Sequence, residues 1–509
     1  MRSTIPELGV RQSGTGTGWS LSRPPECARC CIWAWLAVGV PLVLGLLAGS
    51  APAHAESLLE ALSATYGYNP RLDAERAFQR GTDEEVARAM AGYRPTVTGE
   101  ADVNWQREDQ RPSSPLVDGT TKPRGYTIQG IQPLFRGFRT YNAVNNAEAT
   151  VRAERENLRD VERQVLLQAV TAYMDVVRDQ ELVRLNENNV NVLSRELKAA
   201  QDRFSVGEVT RTDVAQAEAR RADAVSRLDA ARANLRTSRG SFQQVVGHPP
   251  EGLAWPSSPE EDIPQSLQDA IAIGNNENPL VVASLYREQA AKYLVDQIRG
   301  ELLPTMQLEA SYTDRFEPVM GVAELETGLV TGRLTVPIYE AGDVYARVRQ
   351  AKQNHIGALQ QIEQARSEQQ QALVTAWSQL EAARAQLESD RVSVESNKVA
   401  LQGVREEEKV GQRTLLDVLN AELEYLNSQV NLETDRANQV IAAYSVISAM
   451  GRLDVAWIGA AAYVYDPVVH YKEVRRKWIG VSITHADGRI EQLDTAPVEE
   501  EAPPLPPAK

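Results

Sequence analysis

Cysteine is nearly missing from this chain. Its 509 residues include three, Cys27, Cys30 and Cys31, so everything beyond residue 31 must fold without a disulfide and without a lipid-acceptor thiol. Histidine is as sparse: His54, His248, His355, His470 and His485 lie far apart, with no metal-ligand spacing and no partnered nucleophile. No glycine-rich phosphate loop is present, so the chain carries no nucleotide-driven energy source of its own. After residue 47 no stretch approaches the roughly 20 apolar residues of a membrane helix, and any membrane crossing must use strands. Together these gaps exclude an enzyme, a metal centre and a resident cofactor.

Aromatics make up 6% of the chain, while Ala, Gln, Glu, Arg, Leu and Val crowd its middle, a mixture that favours long helices. Ahead of them, Ile32 to Leu47 form an apolar run of 16 residues, followed by Ala53-His54-Ala55. The run is too short to span a bilayer, and the small-x-small triplet suits a signal peptidase, so residues 1–55 read as a signal peptide cleaved after Ala55. Removing them leaves 50 basic against 67 acidic residues, a balance that argues against nucleic acid as a partner.

The remainder is one design written twice. Ser57-Leu58, Asn69-Pro70 and Pro95 recur as Ser266-Leu267, Asn278-Pro279 and Pro304, at an offset of 209. From Pro133-Leu134-Phe135 and Pro337-Ile338-Tyr339 onward the offset is 204, and Gly207, Asp213 and Gly247 answer Gly411, Asp417 and Gly451. A slip confined to one stretch is what a surface loop produces. The reading is repeat 1 over 56–248, a linker over 249–265, repeat 2 over 266–453 and a C-terminal extension over 454–509, with the Pro- and Glu-rich tail from Pro497 disordered.

Within each repeat a proline-free stretch of 67 residues, Phe138 to Phe204 and Asp343 to Lys409, carries a helical rhythm such as Leu158, Val161, Val165, Ala169, Ala172 and Val176. At 1.5 Å per residue each helix is about 100 Å long. Shorter helices, about Pro70 to Gly92 with Thr212 to Gly247, and Pro279 to Arg299 with Leu415 to Met450, can stack end to end along the long ones. The apolar stripes are thin and bordered by Gln, Asn and Arg, so neighbouring copies are expected to complete the packing, as in a barrel of coiled coils.

Between the helices the period drops to two. Val97, Gly99, Ala101, Val103 and Trp105 alternate with polar residues, as do Met306, Leu308, Ala310 and Tyr312. Their expected partners are Tyr126 to Leu134 and Val330 to Ile338, giving strands at about 95–107, 125–135, 304–315 and 328–339. Alternation alone also suits a soluble half-buried sheet; the leader and the shortage of other core favour a membrane. Four strands cannot close a barrel, and single-chain barrels begin at about 8. Three copies supply about 12 and a conducting lumen. The fold class read here is mainly α with membrane β: a long antiparallel helical barrel plus a β-barrel shared between subunits.

Over roughly Leu58 to Leu453 the chain resembles the TolC family of outer-membrane efflux and secretion tunnels. The resemblance is carried by Val206-Gly207-Glu208-Val209-Thr210-Arg211-Thr212-Asp213-Val214 and by Val410-Gly411-Gln412-Arg413-Thr414-Leu415-Leu416-Asp417-Val418-Leu419-Asn420-Ala421. These are similar to the two helical-turn tips of that family. Tyr465-Asp466-Pro467 and Arg475-Arg476-Lys477-Trp478 look most like the branch serving type I secretion. The resemblance implies a homotrimer in outer-membrane lipid, whose tips at Val206, Gly207, Val410 and Gly411 meet a periplasmic adaptor on an inner-membrane ABC or proton-driven transporter.

It further implies a tunnel constriction at Asp417, with Asn420 standing where the family has a second aspartate, hence one carboxylate ring instead of two. A gate link would run from Arg413 to Thr212, and Glu408, at a position held by tyrosine in the family, would repel Asp213. The same Asp and Thr residues serve equally as ordinary helix N-caps. Two other classes compete. A periplasmic adaptor predicts a compact β-rich domain beside a single hairpin, and a structural coiled coil predicts no alternating strands.

Overall fold

The computed structural model describes residues 56–108, 119–459, 464–484 and 490–491. The signal peptide and the tail from Pro497 lie outside the described residues. Ten helices are present among them: α1 (Leu58–Tyr68), α2 (Pro70–Met90), α3 (Arg139–Ser205), α4 (Arg211–Val246), α5 (Leu267–Glu277), α6 (Pro279–Arg299), α7 (Asp343–Lys409), α8 (Leu415–Met450), α9 (Val455–Ile458) and α10 (Pro467–Val474). The strands are β1 (Thr96–Val103), β2 (Gln106–Glu108), β3 (Gly119–Thr121), β4 (Arg124–Arg136), β5 (Thr305–Phe316), β6 (Glu324–Thr335), β7 (Ile483–Thr484) and β8 (Ile490–Glu491).

Both long helices have 67 residues. Each Asn-Pro pair separates two consecutive helices, Asn69 and Asn278 ending one and capping the next. The Asn69 amide oxygen accepts from Arg71 N at 3.0 Å and that of Asn278 accepts from Leu280 N at 3.0 Å. Pro70 and Pro279 then occupy the first helical position, where no N–H is needed. The chain therefore bends between α1 and α2, and between α5 and α6. Helix α3 packs against α2, α4, α6 and α8, and α7 packs against α5, α6 and α8.

The packing is uneven along the long helices. Near their middle a dense apolar cluster joins Leu166, Tyr173 and Met174 of α3 to Phe242 of α4, Leu373 of α7 and Ile447 of α8, all fully buried. Toward the Gly207 and Gly411 turns the core thins to a few residues, mainly Leu193, Ala200, Ala217, Ala224 and Leu419. The uniformly thin stripes expected from composition describe these ends and not the middle.

Three acids of α3 are buried, Asp160, Glu162 and Asp179. Glu162 of α3 accepts a hydrogen bond from Val455 N, the first residue of α9, at 2.6 Å. Burial outweighs that bond and pushes the carboxyl up to about 7. The folded state thus favours the protonated form. The cost of keeping Glu162 charged is absent below about pH 4.5, grows between there and pH 7, and is complete above, of order 3 kcal/mol. Glu162→Gln is expected to raise the unfolding temperature at pH 8 and to change it little at pH 4.5, as thermal melts at the two pH values would register.

The sheet differs from two separate hairpins. β1 pairs with β4 and β5 with β6, but β4 also pairs with β5 over its whole length, so that one antiparallel sheet runs β1-β4-β5-β6. Its outer strands, β1 and β6, have no further partner among the described residues. The register sorts the side chains onto two faces. Val97, Ala101, Ile128, Leu308, Ala310, Tyr312 and Val330 share one; Glu100, Thr127, Glu309, Thr313, Arg315 and Arg333 share the other. On the second face Arg333 bridges Glu309 at 2.7 Å, Arg315 bridges Asp102 at 3.1 Å, and Thr127 meets Thr313 at 3.1 Å.

Two strand boundaries need correction. The first strand stops at Val103, and Gln106–Glu108 forms a small hairpin with Gly119–Thr121. β6 spans Glu324–Thr335 and not 328–339, because Pro337 has no N–H to donate to a ladder. Pro133, its counterpart in repeat 1, is tolerated inside β4 at a register shift between Pro133 and Phe135.

Candidate functional site at the helical tips

The turns joining α3 to α4 and α7 to α8 are built alike. Val206 and Val410 cap the long helices, and Gly207 and Gly411 follow in the left-handed region with φ of 80° and 77°. That conformation is what glycine permits and a side chain resists. Gly207 N donates to Phe204 O at 3.0 Å and Glu208 N to Arg203 O at 3.0 Å; Gly411 N donates to Glu408 O at 2.9 Å and Gln412 N to Glu407 O at 2.9 Å.

Each return helix then opens on a capping box. Thr210 N and Oγ1 donate to Asp213 Oδ2 at 2.9 and 2.8 Å, and Asp213 N donates to Thr210 Oγ1 at 3.3 Å. Thr414 and Asp417 repeat this at 3.0, 2.9 and 3.3 Å. Asp213 and Asp417 are therefore structural caps. The bonds from the Thr414 backbone and side chain hold the Asp417 carboxyl below its ordinary range, so it stays charged near neutrality.

Within this chain Arg413 reaches Glu407 at 2.9 Å and not Thr212. Glu408 accepts from Arg203 at 2.6 Å, tying the end of α3 to the end of α7. Asn420 accepts from Arg220 at 2.7 Å, and Arg405 meets Glu422 at 2.9 Å. Arg203, Arg220 and Arg405 escaped the sequence reading. A signal for Arg203 existed, because at the repeat offset of 204 it answers Glu407, a position of opposite charge.

At the extremities apolar side chains point into solvent: Val206 is 77% and Val410 71% exposed, with Phe204 and Leu416 also exposed. Neither tip gathers a catalytic group, and among the described residues no cluster of His, Cys, Asp or Glu could hold a metal ion. Among those residues, too, no helix is long and apolar enough to cross a membrane.

The outer membrane efflux protein family matches residues 61–248 and 274–452, one block in each half of the chain. The outer membrane efflux protein BepC of Brucella suis is 39% identical over 457 residues, spanning 89% of this chain and 98% of BepC. TolC of Escherichia coli is 23% identical, over 82% of this chain and 86% of TolC. In fold, the chain is similar to the outer membrane channel CmeC of Campylobacter jejuni, with a TM-score of 0.70 at 17% identity over 82% of this chain and 89% of CmeC. With the family matched in both halves and BepC aligned along nearly its whole length, this chain belongs to the outer membrane efflux protein family: it is an outer-membrane channel of the tripartite efflux and type I secretion class, with a periplasmic helical tunnel, and not an enzyme.

Proposed function

We propose that three copies of this chain form one export tunnel, a 12-stranded barrel in the outer membrane above a barrel of periplasmic helices. The observation that carries this reading is the open sheet β1-β4-β5-β6. Its apolar face suits lipid and its paired-charge face suits a wet lumen, but the free backbone groups of β1 and β6 cannot face hydrocarbon. Four strands cannot close alone, and three copies joined β6 to β1 supply about 12. Tripartite channels of this family work as trimers with adaptor and inner-membrane pump partners. Cysteine pairs placed along β1 and β6 are expected to cross-link, on oxidation, into a ladder that ends at three chains. A ladder ending at two, or no ladder in outer-membrane fractions, would defeat the reading.

On the same reading the tips are the adaptor-contacting surface, with Val206, Gly207, Val410 and Gly411 exposed for docking, and they narrow the tunnel entrance at Asp417 and Asn420. Thr212 and Asp213 open the facing return helix. Arg413 lies between two acids, bonded to Glu407 and attracted by Asp417. Removing it leaves like charges facing one another. Arg413→Ser is expected to raise single-channel conductance in planar bilayers; an unchanged closed-state conductance would count against the gate assignment.

A further inference from the structure

The C-terminal extension is not a free appendage. Tyr465 N donates to Tyr66 OH at 3.0 Å, Tyr471 OH donates to Glu148 at 3.3 Å, and Arg475 pairs with Glu148 at 2.8 Å, so α10 is strapped across α2 and α3. The strap then reaches the place where helices give way to strands. Arg94 Nη1 donates to Lys477 O at 2.9 Å and its guanidinium lies 4.8 Å from the Trp478 ring centre. Arg94 stands two residues before the first residue of β1.

Beyond that anchor the chain forms a short loop closed by its own lysine: Lys477 Nζ donates to Ser482 O and Oγ, at 2.5 and 2.9 Å, and Gly480 turns at a φ of 114°. The loop holds its apolar residues outward, with Trp478 65% and Ile479 92% exposed and Val481 exposed beside them. Folding has spent hydrogen bonds on presenting a tryptophan and an isoleucine to solvent, which a water-facing loop has no reason to do. Next to them Lys472 and Arg476 are exposed and have no acidic partner among the described residues, in a chain whose net charge is −15.

We propose that this loop is a peripheral membrane anchor: Trp478, Ile479 and Val481 enter the periplasm-facing leaflet of the outer membrane while Arg476 and Lys472 meet phospholipid phosphates. Three observations select a lipid surface as the occupant. The loop is fixed at the level where the sheet begins, so it is continuous with the membrane-facing strands. A tryptophan beside an aliphatic residue is the composition of a bilayer interface. Exposed cations with no acidic partner among the described residues, on an acidic chain, complement anionic headgroups. The proposal rests on the barrel reading above.

Two nitroxide positions separate the two ideas. In the full chain reconstituted into phosphatidylethanolamine–phosphatidylglycerol vesicles, Ile128→Cys labels the apolar sheet face and Ile479→Cys labels the loop. Both sites are exposed, so neither substitution disturbs packing. Collisions with oxygen are expected to exceed those with a water-soluble nickel chelate at both positions, and Arg476→Glu is expected to shift the Ile479 label toward the chelate. Chelate preference at Ile479 with oxygen preference at Ile128 overturns the anchor and leaves the barrel standing. An Ile479 label immobilised and closed to both reagents overturns it in favour of a contact with another chain. Chelate preference at Ile128 overturns both.

Discussion

Val330→Arg is expected to empty the outer membrane of assembled channel, whereas Thr331→Arg, one residue along the same strand, leaves assembly intact. Val330 pairs with Ala310 near the middle of β5 and β6 and belongs to the apolar face; Thr331 pairs with Glu309 on the charged face. Because side chains alternate across a strand, moving the arginine by one residue moves it, in the barrel proposed above, from lipid to lumen. An arginine on the lipid face near the bilayer midplane costs about 2–4 kcal/mol, or a factor of roughly 30 to 1,000 in the assembly equilibrium for each chain. Heat-modifiable oligomer on unheated gels of outer-membrane fractions measures this. Equal losses in the two variants would mean that the sheet has no lipid side.

Asp83→Ala is the second large effect, a loss of about 3–5 kcal/mol. Asp83 of α2 is fully buried. Its Oδ2 accepts from Gln79 Nε2 at 2.8 Å and lies 3.1 Å from His470 Nδ1, while Oδ1 lies 3.9 Å from Arg155 Nη2. Tyr465 OH extends the network by donating to Gln79 at 2.8 Å. Removing the carboxylate strands the Arg155 guanidinium in a site with little water, and it also cuts α10 from α2. The thermal midpoint should fall steeply and protease should begin to cut within residues 464–484. The neighbouring Glu84→Ala, on an exposed side chain, should stay within about 0.5 kcal/mol. If both variants melt alike, the network contributes nothing.

Local rules made much of this fold readable. The long helices could be bounded within a residue because a proline-free helical period ends at a glycine turn in each half, and Thr210-x-x-Asp213 and Thr414-x-x-Asp417 spell capping boxes directly. What stayed hidden depends on which segments meet in space. The β4–β5 pairing joins Ile131 to Glu309, and nothing local distinguishes it from two separate hairpins. Pro133 and Pro337 occupy equivalent places in the repeat, yet one is absorbed by a bulge inside the sheet and the other ends an edge strand. Long arginine side chains choose their acids by proximity, so Arg413 with Glu407 and Arg203 with Glu408 could not be read from spacing. The docking of α10 on α2 is hidden for the same reason.

The crowded apolar cluster at mid-height of α3 and α7, where α4 and α8 end, set against the alanine-lined ends near Gly207 and Gly411, makes the molecule stiff at its waist and pliant at its feet. A pull or a push delivered to the turns meets little resistance there, and dies out where Tyr173, Phe242 and Ile447 interlock. Deuterium uptake along α3 should accordingly quicken from Leu166 toward Ala200. On the gate and barrel proposed above, a conduit made this way widens its mouth while its membrane end stays fixed.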